Sequence, residues 1–562
     1  MKTTTIYILI ISVLLACSCN KLDLTPPDQP STTSFYKNQT ELEMAVDDLY
    51  RIDFWSNDDE TYTDNHWYRG ELGNAVTFGT MSTQDVNVQN YYQTCYNAIA
   101  RVNSFLANKD KAAGNTPAAV ITQFESEMRL IRAYQYARLI THFGDVPFVT
   151  KTQTITEASN NIRKSKDSIL QFIFDELDFA ASNLPSSYPV PAVKRLTKGA
   201  ALAVKARTAL YFGKWGVARD AARGVMDLAN TGVYNLYPSY AGLFQKSGEN
   251  NPELIISIPR DQTQNVYSSG TIVQDFLPRN RGGFGARIPT REMVDAYECT
   301  DGKAIDESSL YDFHNPFKNR DPRLTASIVE FGTFWLGVGY QPHPDSLTVY
   351  SLVTNRLVKN NDCRTNAPFA SYTGFLWKKG IEQSWVDKLA EDNDRIICRY
   401  AEMLLTYAEA RIELNDIDAS VPDAINQVRA RAYGVNVSQV TLYPAVTATD
   451  QAALRQVVRR ERRVEFPLEG LRYMDLIRWR LAEKALTRPV IGLPDPARQD
   501  RSKWPFPGVT PIDDDGIADY SGFGSDVKIV AQRNFDKKRQ YLWPIPDIER
   551  RVNPKLSQND GY

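Results

Sequence analysis

Apolar residues recur at three- and four-residue steps in long segments near both ends of this chain, which commits most of it to packed helices. Residues 125–143 place Leu130, Ala133, Tyr134, Ala137 and Ile140 on one stripe. Gly144 and Pro147 then end that helix, because glycine suits the C-terminal turn and proline cannot continue it. Residues 166–184 repeat the pattern, and residues 197–213 are rich in Ala on one side, which lets another helix approach closely. Residues 214–229 follow as a partner helix after Gly213. Residues 399–414 carry Ala401, Leu404, Leu405, Ala408 and Ile412 on one stripe, and residues 421–433 and 449–484 supply further helices. Short links between such segments predict antiparallel, tetratricopeptide-like pairs, without the regular period of about 34 residues of a consensus array.

The middle reads differently. Residues 231–395 are rich in Gly, Pro, Asn and aromatics, with short strand-like runs at Glu253–Ser257 and Leu347–Leu352. The expected fold is mainly α: helix pairs over 35–230 and 396–562, and a loop-rich insert with a few small strands between them, all in one domain. Loops on a rigid scaffold are where binding residues concentrate.

The N-terminus is an address. Met1-Lys2 precedes an uncharged apolar run from Ile6 to Ala16, too short for a bilayer core of about 30 Å and of the length of a secretory signal. The run closes on Leu14-Leu15-Ala16-Cys17-Ser18-Cys19, small residues followed by Cys, which resembles a bacterial lipobox. Either Cys17 or Cys19 can be the acylated residue. Residues 1–18 read as the signal peptide and 19–34 as the acylated cysteine and an extended tether. The remaining Cys95, Cys299, Cys363 and Cys398 are widely spaced and read as separate buried residues, although export permits disulfides.

Several chemistries are absent. Lys and Arg total 65 against 67 Asp and Glu, which excludes the broad basic surface of a nucleic-acid binder. The four histidines, His66, His142, His314 and His343, form no His-Glu-x-x-His pattern. No metal or cofactor signature, phosphate loop or nucleophile elbow occurs. A glycosidase needs only two carboxylates about 5–10 Å apart, so it stays open. The carboxylates Glu402, Glu409, Glu461, Glu465, Glu469 and Asp475, however, alternate with Arg399, Arg411, Arg460, Arg462, Arg463, Arg472 and Arg478 on helical runs, as structural ion pairs do.

Ordered motifs then carry a resemblance. They are Ser18-Cys19-Asn20-Lys21-Leu22-Asp23, Tyr96-Asn97-Ala98-Ile99-Ala100-Arg101-Val102-Asn103, Glu127-Met128-Arg129-Leu130-Ile131-Arg132-Ala133-Tyr134 leading to Phe143-Gly144-Asp145-Val146-Pro147, and Asn319-Arg320-Asp321-Pro322-Arg323-Leu324. Arg399-Tyr400-Ala401-Glu402, Glu461-Arg462-Arg463-Val464-Glu465, Glu469 to Trp479, Trp543-Pro544-Ile545-Pro546 and the ending Asn553 to Tyr562 follow. In this order the chain resembles the SusD/RagB family of outer-membrane lipoproteins from Bacteroidetes-type bacteria. The resemblance favours Cys19 for acylation. It implies tetratricopeptide-like helices, surface exposure, a SusC-like TonB-dependent transporter as partner, and ligand capture rather than catalysis. Its members take glycans or, in the RagB branch, peptides.

A shallow sugar site needs exposed rings, on which C–H faces stack, among polar residues that take the hydroxyls. Residues 52–92 hold Trp55, Tyr62, Trp67, Tyr68, Phe78, Tyr91 and Tyr92 among Asn57, Asp58, Asp64, Asn65, Arg69, Asn74, Asp85 and Asn87. The candidates there are Trp67, Tyr68, Arg69, Asn74 and Phe78, the alternative being that Trp67 packs beneath the loop. Phe334, Trp335 and Tyr340 form a second group, the alternative being a buried strand with turn glycines. Tyr372, Phe375 and Trp377 are a third group. Trp479 and Trp543 lie inside scaffold motifs and read as core.

Overall fold

A computed structural model describes residues 35–55, 59–69, 74–189, 194–494 and 500–562. The signal and tether, with Cys17 and Cys19, and also Asn57 and Asp58, lie outside these residues. The fold is mainly α. Nine helices carry the scaffold: α1 (Gln39–Asp47), α2 (Val86–Asn108), α3 (Ala118–Phe143), α4 (Lys166–Asn183), α5 (Lys198–Tyr211), α6 (Trp215–Asn230), α7 (Tyr400–Glu413), α8 (Ser420–Ala432) and α9 (Gln451–Glu465). From α2 onward the helices pack in series, α2 on α3, α3 on α4, through α6 on α7, and α7 on both α8 and α9, while α1 packs on α3. This is the array of helix pairs expected from the periodicity.

Local chemistry sets the ends. Asp85 caps α2 by accepting from the amides of Asn87 and Val88, and Asp450 caps α9 through Ala453 N at 2.9 Å, satisfying donors the first helical turn leaves open. Gly144, at φ 70°, ends α3. Gly199 on α5 lies so close to Tyr234 that a Cβ there would meet its hydroxyl at 2.1 Å. The 449–484 run breaks after Glu465 and resumes as short helices at Arg472–Arg478 and Ala482–Ala485.

The strands are short, and those that frame the insert are β1 (His66–Tyr68), β2 (Leu254–Ile258), β3 (Arg287–Pro289), β4 (Thr333–Trp335), β5 (Val338–Tyr340), β6 (Thr348–Ser351), β7 (Arg356–Lys359) and β8 (Arg395–Arg399). β4 to β7 form a four-stranded antiparallel meander. β2 pairs with β8, leading into α7, and β1 pairs with β3 across more than two hundred residues. One apolar cluster fills the helical array. A second, built around Met293, Leu324, Phe375 and Trp377, fills the insert and draws in Trp67, Val464, Val490 and Phe506.

The interleaved helix charges are structural. Arg399 binds Glu253 at 2.8 Å, Glu465 at 2.6 Å and Glu469 at 2.7 Å. Arg323 binds Asp321, Glu461 and Glu465 at 2.7, 2.6 and 2.9 Å. Arg429 joins Glu298 to Glu461. Arg431 joins Glu253 to Glu465. Burial opposes ionisation of Glu465, yet Arg431, Arg399 and Arg323 hold its carboxyl at about 2. This network ties the insert's residues 253, 298, 321 and 323 to the end of β8 and to α8 and α9, and it persists buried because every charge has partners. Arg462 and Arg478 likewise grip Asp475. The four cysteines in the described residues are free and buried.

Candidate functional site

Strand alternation decides the fate of the first candidate group. In β1, Trp67 opposes Ile288 and Tyr68 opposes Arg287. Successive strand residues face opposite sides, so Trp67 turns inward (3% exposed) and Tyr68 outward (40% exposed). Trp67 packs edge-to-face on Phe78 at 5.8 Å, and both belong to the insert core. Trp67 and Phe78 are therefore not an open stacking surface. Asn74 is also structural, its side-chain oxygen accepting from the amides of Val76 and Thr77 at 3.1 and 3.0 Å. Trp55 stacks on Tyr134 at 4.7 Å within the helical core, and Tyr92 is buried on α2. The 52–92 segment thus spends most of its rings on packing.

The second group splits the same way. Trp335 and Tyr340 are buried, the Tyr340 hydroxyl donating to Gly374 O at 2.6 Å. Phe334, the residue before Trp335 on β4, is 55% exposed. It opposes Gly339, whose missing side chain lets Phe334 reach Tyr350 on β6, edge-to-face at 6.4 Å. Phe375 and Trp377 are fully buried. Trp377 donates to His66 Nδ1 at 3.1 Å, and burial, with Arg287 nearby, lowers that imidazole to about 3 and keeps it neutral. Trp543 is core and Trp479 half-buried, donating to Glu409.

What remains open converges from three distant segments. Tyr68 ends β1 and Arg69 follows it. Arg279 comes from the turn before β3, and Phe369, 62% exposed, from the loop after β7. Arg69 Nη1 donates to Phe284 O at 2.6 Å and to Phe369 O, and its guanidinium lies 6.0 Å from the Phe369 ring. Arg279 reaches the same two carbonyls at 3.4 and 3.5 Å. Asp275 lies beside Tyr68 and faces Arg287 at 4.0 Å. Asn280 donates to Lys359 O at 3.0 Å and accepts from Asn361 N at 2.6 Å, pinning the arginine turn to the end of β7. The Tyr68–Arg69–Phe369 surface and the Phe334–Tyr350 sheet face are therefore joined through one short segment. Of the expected residues, Tyr68 and Arg69 are on this surface. Phe369 and Arg279 were missed, although a Phe after Pro in the polar run Asn366-Ala367-Pro368-Phe369 and the Arg-Asn-Arg-Gly-Gly turn at 279–283 are visible signals.

Beside this surface a cleft of about 420 Å³ is lined by Glu60, Phe276, Arg287, Lys379 and Trp385 among others. Glu60 Oε1 accepts from Asn65 at 3.0 Å, and Oε2 has no hydrogen-bond partner among the described residues. Burial raises this carboxyl to about 7, against the pull of Asn65, Lys379 and Arg472.

Exposed rings beside fixed donors, on a helical scaffold, make this the candidate ligand-contact surface. The chain belongs to the SusD family: that family's model matches residues 252–562, and the model described as starch-binding associating with outer membrane matches residues 22–210. It is similar to SusD-like protein P25 of Formosa agariphila, 25% identical over 521 residues, 85% of this chain and 90% of that protein. A solved structure of a SusD-like carbohydrate binding protein from Bacteroides fragilis is 29% identical, with a TM-score of 0.76 over 93% of this chain and 100% of that one. A laminarin binding SusD-like protein, 19% identical, shares the fold at a TM-score of 0.65 over 94% of this chain and 100% of that one. These relatives are named as SusD-like or binding proteins, not enzymes.

Proposed function

We propose that this chain is a surface-exposed outer-membrane lipoprotein, acylated at Cys19, that captures oligosaccharide and delivers it to a SusC-like TonB-dependent transporter. The observation that carries the glycan reading is the Tyr68–Arg69–Phe369 surface, with exposed rings set beside fixed guanidinium donors. A pyranose laid on Phe369 stacks its C–H face, while Arg69, Arg279 and Tyr68 meet its oxygens. The two arginines, anchored to backbone carbonyls, need little ordering on binding, so what affinity a shallow site has is not spent on rearrangement. Several acyl chains give stable attachment where one is marginal. The N-terminal helical array offers the broad face for the transporter, as stacked helix pairs do elsewhere. No cofactor or metal enters the mechanism.

The test is affinity electrophoresis of the detergent-solubilised full chain through gels holding single polysaccharides, with short peptides as a parallel probe and product assays on the same samples. Retardation by one polysaccharide, lost in Phe369→Ala and Tyr68→Ala, supports the reading. Binding of peptides alone assigns the chain to the RagB-like alternative, and release of shorter sugars revives a glycosidase.

A further inference from the structure

The same surface carries a charge arrangement that a neutral sugar does not require. Arg69 and Arg279 direct their Nη1 groups at the same two carbonyl oxygens, those of Phe284 and Phe369. Two carbonyl dipoles only partly offset two full positive charges. Arg69 shows the strain: burial and then Arg279 lower its pKa. Among the described residues neither guanidinium belongs to an ion pair. Among the described residues the nearby acids Asp275 and Asp362 bear on Arg69 and Arg279 without forming an ion pair with either. Asp275 faces Arg287 at 4.0 Å. Asp362 accepts from the backbone amides of Arg279 at 2.7 Å and Asn280 at 3.0 Å, and burial raises its carboxyl to about 6. The Nε atoms of Arg279 and Arg281 are buried without a hydrogen-bond partner among the described residues. A third guanidinium, Arg364, lies 4.7 Å from the Tyr372 ring, and Tyr372 in turn bears on Arg69.

We propose that the ligand is an acidic glycan, whose oxyanion substituent sits between Arg69 and Arg279 while the neighbouring ring lies on Phe369. This rests on the glycan reading above and narrows it. The shared chemistry is an oxyanion on a sugar, either a uronate carboxylate or a sulfate ester. Guanidinium forks suit both, giving short charge-assisted hydrogen bonds. An exposed charge pair of this kind weakens as salt screens it.

The experiment is a titration of the full chain with alginate and polygalacturonate as polyuronates, carrageenan as a sulfated chain, and dextran and laminarin as neutral ones, at low and high salt. One acidic polysaccharide binds, and its affinity falls with salt. If it is a polyuronate, reducing its carboxylates weakens it by about tenfold or more, the scale of one charge-assisted hydrogen bond; if it is sulfated, desulfation does so. Arg279→Gln has the same effect and Arg279→Lys restores part of it, which a purely structural clamp on the loop carbonyls would not show. The modified polysaccharides test the idea with the native protein, so a variant that fails to fold leaves it decidable. Salt-insensitive binding of a neutral polysaccharide, lost in Phe369→Ala but kept in Arg279→Gln, overturns the acidic-ligand proposal and leaves the capture surface standing. Binding of no polysaccharide at all removes the glycan reading itself.

Discussion

Glu60 offers a quantitative test of the described interior. It lies in the short turn Asp59–Tyr62, is 4% exposed, and has one oxygen bonded to Asn65 and one without a partner among the described residues. The charges that bear on it are Lys379, Asp64 and Arg472, and burial dominates, raising its pKa from 4.5 to about 7. The folded state therefore holds this proton more tightly than the unfolded chain does. Its stabilising effect is full below the unfolded pKa and is lost as pH rises through about 7. At about 1.4 kcal/mol per pH unit, the rise amounts to about 3 kcal/mol, an upper value at alkaline pH. Glu60→Gln keeps the shape and the bond to Asn65 but carries no charge at any pH. Guanidinium unfolding followed by tryptophan fluorescence should find the variant and the native chain alike near pH about 4, and the variant more stable near pH about 8.5 by up to about 3 kcal/mol. A difference that does not change with pH, or a variant less stable at the alkaline end, would refute the assignment of a buried, proton-holding carboxyl.

Other expectations follow from packing and from charge. Trp67→Ala should cost about 3–5 kcal/mol by removing a core ring while the folded fraction keeps its glycan affinity, and a normally stable variant that has lost binding would contradict the inward placement of Trp67. Arg399→Met removes one cationic partner from each of Glu253, Glu465 and Glu469 and should lower stability by about 3–5 kcal/mol; an unchanged melting temperature would mean the network is dispensable. Cys19→Ala should abolish acyl incorporation and release the chain from membranes, whereas loss only in Cys17→Ala would move the anchor two residues upstream.

Reading the sequence worked best where neighbours in the chain are neighbours in space. Leu130, Ala133, Ala137 and Ile140 mark α3 because a helix is a local object; the alternating charges from Arg399 to Arg478 mark ion pairs, but most of their partners are remote in the chain, as in Arg399–Glu465 and Arg478–Glu409. The helix α2 was masked by its composition: Tyr92, Cys95, Ala98, Ile99 and Val102 recur at helical steps, but the surrounding Asn, Gln and Tyr residues suggested a polar aromatic loop. The inward turn of Trp67 depends on pairing with Ile288, a contact no local pattern reports. Phe369 and Arg279 matter only because the insert folds three remote segments together around Phe284 O. Proximity of that kind is a property of the tertiary fold, so composition could point to a loop-rich, aromatic region but not to its open rings.

The capture surface is tested most directly by a crystal structure of the chain with the oligosaccharide that it retains in affinity gels. A sugar ring against Phe369, with its oxygens toward Arg69, Arg279 and Tyr68, is the expected result. A guest bound instead along the groove of Tyr50, Lys194 and Tyr267, or against the helical array, with Phe369 bare, would contradict the assignment of this surface.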